Sequence, residues 1–101
     1  MSWPRYEMRI RYDERRDAWI PIEVTRLGGG LRRMKEDFMG YHQRPQAIQA
    51  AVARASWLSR GSPQWDTDSP LHPPHPHPVP VRDEQGICVT AFVAGQFVPC
   101  R

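Results

Sequence analysis

Residues 6–12, YEMRIRY, alternate without a break between apolar and charged side chains. Tyr6, Met8, Ile10 and Tyr12 fall on one side of an extended chain, and Glu7, Arg9 and Arg11 on the other. Successive side chains of a strand point to opposite faces, so a strand is the element that can bury one side of such a run. Residues 18–24, AWIPIEV, repeat the pattern, with Ala18, Ile20, Ile22 and Val24 as the apolar set and Trp19, Pro21 and Glu23 facing away. The intervening DERRD has the length of a hairpin loop. Pairing Tyr12 with Ala18 sets Ile10 against Ile20, Met8 against Ile22 and Tyr6 against Val24, which puts both apolar sets on one side. On the other side Arg11 then meets Trp19, within reach of a cation–π contact. Pro21 cannot donate to a ladder, so its strand is expected to be an edge there or to carry a bulge.

Beyond this hairpin, Gly28-Gly29-Gly30 lacks the flanking residues of a phosphate-binding loop and reads as a turn. Residues 31–42 suit either element: Leu31, Met34, Phe38 and Tyr41 at spacings of three and four favour a short helix ending near Gly40, whereas a strand would put Arg32, Met34, Glu36 and Phe38 on one face, a poor core set. Residues 45–60, PQAIQAAVARASWLSR, predict the main helix. Proline suits the first turn, the alanines favour helix, and Gly61 stops it. Ile48, Ala51, Val52, Ala55 and Leu58 form its buried stripe, and Trp57 lies off it. Residues 62–80 form a loop rich in proline and histidine, and ICVTAFV at 87–93 with QFVPC at 96–100 predicts a second hairpin across Ala94-Gly95. The expected architecture is α+β in two layers: one domain over residues 1–101, with a small antiparallel sheet of two hairpins packed against one main α-helix. A chain of 101 residues can bury one modest core of this kind.

The chemistry-bearing residues are sparse. His72, His75 and His77 sit among prolines in SPLHPPHPHPVPV. Zinc needs three or four convergent ligands, and in a polyproline helix of three residues per turn His77 falls on a different side from the other two. The segment reads as a stiff linker, with a proline-rich recognition peptide as the next reading, and no metal is assigned. Cys88 and Cys100 form no CxxC; across a two-residue turn Val89 faces Cys100 and Cys88 lies one position off, while a slightly longer turn would bring the sulfurs into range, and in a cytosolic protein two buried reduced thiols are expected. The carboxylate pairs Asp13/Glu14, Glu36/Asp37, Asp66/Asp68 and Asp83/Glu84 lie in or beside loops and among arginines, as solvated turn residues do. No catalytic constellation and no cofactor motif emerges, so the chain is not expected to be an enzyme.

What stands out is charge. The net charge of +3 lies wholly in residues 1–44, with ten Arg/Lys against seven Asp/Glu, and thirteen of the fourteen cations of the chain are arginine. Arginine and aromatic side chains anchor interfaces, and arginine makes bidentate contacts to phosphate and carboxylate. Arg9, Arg11, Arg15, Arg16, Trp19, Arg32, Arg33 and Trp57 are the candidate partner-binding residues. They suggest a small interaction protein that binds, and inhibits or modulates, a larger protein or nucleoprotein complex. Compact basic products of phages and mobile elements that block host defence nucleases, such as anti-CRISPR proteins, have this character. The alternative is a nucleic-acid-binding module using the Arg9/Arg11/Trp19 face. No signal-peptide stretch opens the chain and no run reaches the roughly 18 apolar residues of a membrane span, so a cytoplasmic protein is expected.

Overall fold

The structure, a computed structural model, describes residues 5–26, 30, 32–36, 40–60 and 77–100. It contains strands β1 (Arg5–Asp13), β2 (Ala18–Arg26) and β3 (Arg32–Glu36), helix α1 (Arg44–Ser59), and strands β4 (Val79–Arg82), β5 (Cys88–Val93) and β6 (Gln96–Val98). The strands form one six-stranded sheet in the order β3-β2-β1-β4-β5-β6. The α+β class and the single covering helix agree with the sequence, but the sheet is mixed, because β4 runs parallel to β1. The crossover through α1 makes this possible, since parallel neighbours need a long connection. The loop expected over 62–80 ends early: Val79 and Pro80 begin β4, a four-residue strand that local pattern does not reveal because Pro78 precedes it and Pro80 lies within it.

The region expected to be a helix at 31–42 contains strand β3 instead, antiparallel to β2 with Val24 opposite Met34. Arginine, lysine and glutamate at Arg32, Arg33, Lys35 and Glu36 give a charged edge strand whose five residues are all exposed, a common way to guard a sheet edge. Its apolar residues are too few for alternation to register.

The first hairpin forms, but one residue out of the expected register. Tyr12 pairs with Trp19, Ile10 with Pro21 and Met8 with Glu23. The loop is the four residues 14–17, and Asp13 closes it against Ala18. A one-residue slip sends one strand's side chains to the other face. Met8 and Ile10 therefore face α1 with Trp19 and Pro21, while Ile20, Ile22 and Val24 form a separate cluster on the opposite face. Strand β2 is buried on both sides, with Ile20, Pro21 and Ile22 all inaccessible. Trp19 and Pro21 served as the second apolar set, and Arg11 stands opposite Ile20 rather than Trp19.

Pro21 sits in this interior strand without harm to β1. Trp19 exchanges both backbone hydrogen bonds with Tyr41, at 2.7 and 2.8 Å. By alternation, Pro21 also directs its nitrogen to that side, so its missing N–H subtracts nothing from the β1–β2 ladder.

Helix α1 covers one face. Ala47, Ala51 and Ala55 are fully buried against Met8, Ile10, Val79, Val81 and Phe92. Four-residue spacing places these alanines in one row, and their small size brings the helix axis close to the strands. Ile48 and Val52, expected in the stripe, flank it half-buried. Ser59 ties the helix end to the last hairpin: its hydroxyl donates to Ser56 O at 2.8 Å and accepts from Gly95 N at 2.8 Å. The turn there has Ala94 at φ 51° and Gly95 at φ 79°, the double positive φ of a tight hairpin turn.

Candidate partner-binding face

The sheet face away from α1 collects arginine. Odd-numbered residues of β1 point there, as do the even-numbered residues of β2 and β3. Arg82 of β4 joins them beside Arg9. Arg5, Arg9, Arg11, Arg26, Arg32 and Arg82 thus share one face, delivered by four strands.

At its centre is Glu7, only 8% exposed. Guanidinium groups of Arg9, Arg26 and Arg82 surround its carboxylate at 3.9, 3.5 and 3.5 Å. One carboxylate cannot occupy all the N–H donors of three guanidinium groups, and Arg82 gives one more to Gly86 O at 3.1 Å. A second anchor is Glu36, which binds Arg11 and, at 3.4 Å, Arg16. The Arg11 guanidinium holds the Glu36 carboxyl below the ordinary carboxylate range, and Arg16 adds to the effect. Arg16 likewise holds Asp13 low through a 2.8 Å bond. At the far side Arg44 grips Glu84 with two nitrogens at 2.8–3.0 Å and lowers it too. These pairs are exposed and screened, so they orient side chains more than they stabilise the fold.

Under the arginines the floor is apolar. Arg11, Arg9 and Glu7 lie directly across from Ile20, Ile22 and Val24. Long arginine stems can cover apolar surface while the head stays in water. A hollow of about 250 Å³ opens between Ile22, Val24 and Met34 below and Arg9, Arg11, Arg26 and Arg32 around it. Met34 is 54% exposed. A second hollow of about 510 Å³ lies over β4–β6, lined by Arg5, Arg82, Pro80, Ala91, Val98 and the Cys88–Cys100 pair.

Cys88 and Cys100 are bonded to each other, with Cα atoms 6.0 Å apart, contrary to the expected free thiols. The turn keeps its two residues, as Val93 pairs with Gln96. A bulge brings Cys88 into range instead: Val81 pairs with Thr90, then Arg82 with Cys88. Alternation alone cannot reveal a bulge.

Of the residues singled out in sequence, Arg9, Arg11 and Arg32 come together here, and Arg16 joins through Glu36. Arg15 stands exposed in the β1–β2 turn. Arg33 lies on the α1 side of β3, opposite Thr25. Trp19 and Trp57 do not belong to this face. Both are half-buried against the α1-side core, Trp19 with its ring 5.2 Å from Tyr12 and Trp57 beneath the Arg54 guanidinium at 4.0 Å. Arg5, Glu7, Arg26 and Arg82 belong to the face but are not among the candidate residues read from sequence. The parity of Arg5 and Glu7 with Arg9 was available in sequence; Arg26 needed the register and Arg82 needed the parallel pairing. His72 and His75 fall outside the described residues, and among the described residues no group of three metal-binding side chains gathers. No described helix is long and apolar enough to cross a membrane.

The chain matches no protein-family model, no curated protein sequence and no solved structure.

Proposed function

We propose that the chain is a non-enzymatic interaction protein that docks its open sheet face on a larger macromolecule and thereby blocks or modulates it. One observation carries this reading: arginines from four strands converge on a single face, interleaved with Glu7 and Glu36, above an apolar floor of Ile22, Val24 and Met34. An apolar centre with an arginine rim is the layout of a protein–protein anchor. Interleaved carboxylates favour a partner surface of matching pattern over a uniform row of phosphates. A host defence nuclease complex is one partner of this class, and the cytoplasm is the proposed compartment. Thiols are kept reduced there, so the face would work with Cys88 and Cys100 free as well as bonded.

Nucleic-acid binding is the second reading. It is favoured by Arg5 and Arg32, which have no carboxylate partner among the described residues. It is disfavoured by the placement of Tyr6, Tyr12 and Trp19 on the α1 side, away from these arginines, because single strands are gripped by stacking beside the charge.

The test is affinity capture from untreated host extract at about 50 and about 200 mM salt, since phosphate-driven binding falls steeply between the two. A stoichiometric protein partner is expected with the native chain and not with the Arg9→Glu/Arg82→Glu double variant. Recovery of nucleic acid alone, lost on raising salt from about 50 to about 200 mM, overturns the proposal in favour of the second reading.

A further inference from the structure

We propose that the outer edge of β3 is a strand-addition site for an extended acidic segment of the partner. The inference rests on the reading of the chain as a binding protein, and it adds a second contact and the partner's chemistry.

Strand β3 ends the sheet, and among the described residues it pairs only with β2. The Trp19–Tyr41 bonds fix which backbone groups point where. Odd residues of β2 face β3, so Glu23–Lys35 and Thr25–Arg33 are the bonded pairs. The N–H and C=O groups of Arg32, Met34 and Glu36 are therefore directed outward, at the spacing an added strand requires.

The side chains select the sign of the incoming strand. Arg32 lies on the open face, and Arg33 and Lys35 lie on the α1 side. None of the three has a carboxylate partner among the described residues, whereas Glu36 is held by Arg11 and Arg16. A cationic edge repels basic strands and admits an acidic one. Hollows flank β3 on both faces. On the open face Met34 borders the arginine-rimmed hollow of about 250 Å³. On the α1 side Lys35 borders one of about 330 Å³ lined by Met8, Pro21 and Ala50 together with Glu36 and the Glu23–Arg54 ion pair, so its carboxylates already have arginine partners. A strand beside β3 sends alternate side chains to each face, so it meets a cation and a hollow on either side.

A second copy of the chain fits this edge less well. Antiparallel pairing centred on Met34 would set Arg33 against Lys35 of the copy, and like charges directly opposite are destabilising. Arg32 would meet Glu36, whose carboxylate already serves two arginines.

The probe is a fluorescein-labelled decapeptide of alternating glutamate and valine, followed by anisotropy. Controls are the same peptide with four central N–H groups methylated, and its lysine–valine counterpart. The Glu–Val peptide is expected to bind, and the lysine peptide is not. Backbone methylation and Met34→Pro should each weaken binding at least tenfold. Met34→Pro removes an outward donor and no bond to β2, so its thermal midpoint should stay near that of the native chain. Arg33→Glu/Lys35→Glu, which keeps the backbone donors, should also lose binding. Failure of the Glu–Val peptide to bind overturns the proposal, as does equal binding of the methylated peptide or by Met34→Pro, which would mean charge alone. A native dimer that Met34→Pro converts to monomer assigns the edge to a second copy and overturns it equally. Arg82→Glu, on β4 and outside the hollow beside β3, should retain peptide binding within threefold. Loss of peptide binding with face-dependent capture intact therefore sinks only this inference, whereas capture indifferent to Arg9→Glu/Arg82→Glu sinks the docking reading.

Discussion

Asp83 and Glu7 are both carboxylates at 8% exposure, yet they are held for different reasons. Glu7 is surrounded by guanidinium groups, none in tight contact. Asp83 organises backbone: its Oδ1 accepts from Gln85 N and Ile87 N, each at 2.9 Å, and its own N–H donates to Ile87 O at 2.9 Å. The pattern is that of an aspartate opening a turn, which the sequence DEQG suggests only as one solvated loop among several. Asp83→Ala strands two part-buried N–H groups. Its expected cost is about 1–3 kcal/mol, while Asp83→Asn, which keeps the accepting oxygen, should cost less than half of that. Urea unfolding of both variants measures the difference, and equal costs would mean that the charge, through Arg44 at 3.6 Å, matters more than the acceptor.

At the scale of elements, the sequence showed its helix clearly and its strand register poorly. Helix α1 spans Arg44–Ser59 against an expected 45–60, because alanine propensity, a proline start and a glycine stop all act locally. Register is not local. Alternation in β2 was counted from Ala18, Ile20, Ile22 and Val24, and Trp19 and Pro21 were assigned to solvent. Both rows are apolar, so the strand suited either orientation, and one residue of loop length decided between them. The arginine face was therefore legible in part. Arg9 and Arg11 fall on it in either register, but their cross-strand neighbours change from Pro21 and Trp19 to Ile22 and Ile20. Close approach of α1 to the sheet rests on its alanine row, which gives a sharp test. Ala51→Leu forces a larger side chain into a fully buried site and should cost about 1–3 kcal/mol. Ala53→Leu, on the exposed side of the same helix, should leave the urea midpoint nearly unchanged. If the two variants behave alike, the helix does not pack through that row.

For the whole molecule, the telling feature is that β1 joins two halves. It pairs antiparallel with β2, its neighbour in sequence, and parallel with β4, which the chain reaches only after α1. Val79 and Val81 of β4 and Phe92 of β5 then close the core that Met8, Ile10 and the alanines begin. No local signal announces that pairing, and this is why the mixed sheet lay beyond sequence reading. The Cys88–Cys100 bond lies outside this core, on the last hairpin, where the Ala94-Gly95 turn and Ser59 already set the geometry. It should therefore restrain the unfolded chain more than it shapes the folded one. For cysteines 12 residues apart the loop-closure model gives about 3 kcal/mol. The Cys88→Ala/Cys100→Ala variant is expected to keep the native circular dichroism spectrum, to unfold in urea about 2–3 kcal/mol more easily than the oxidised chain, and to be indifferent to dithiothreitol. The reduced native chain should coincide with it. Loss of cooperative unfolding in the variant would show instead that the bond holds β5 and β6 on the sheet, and that the β1–β4 junction cannot keep the second half in place alone.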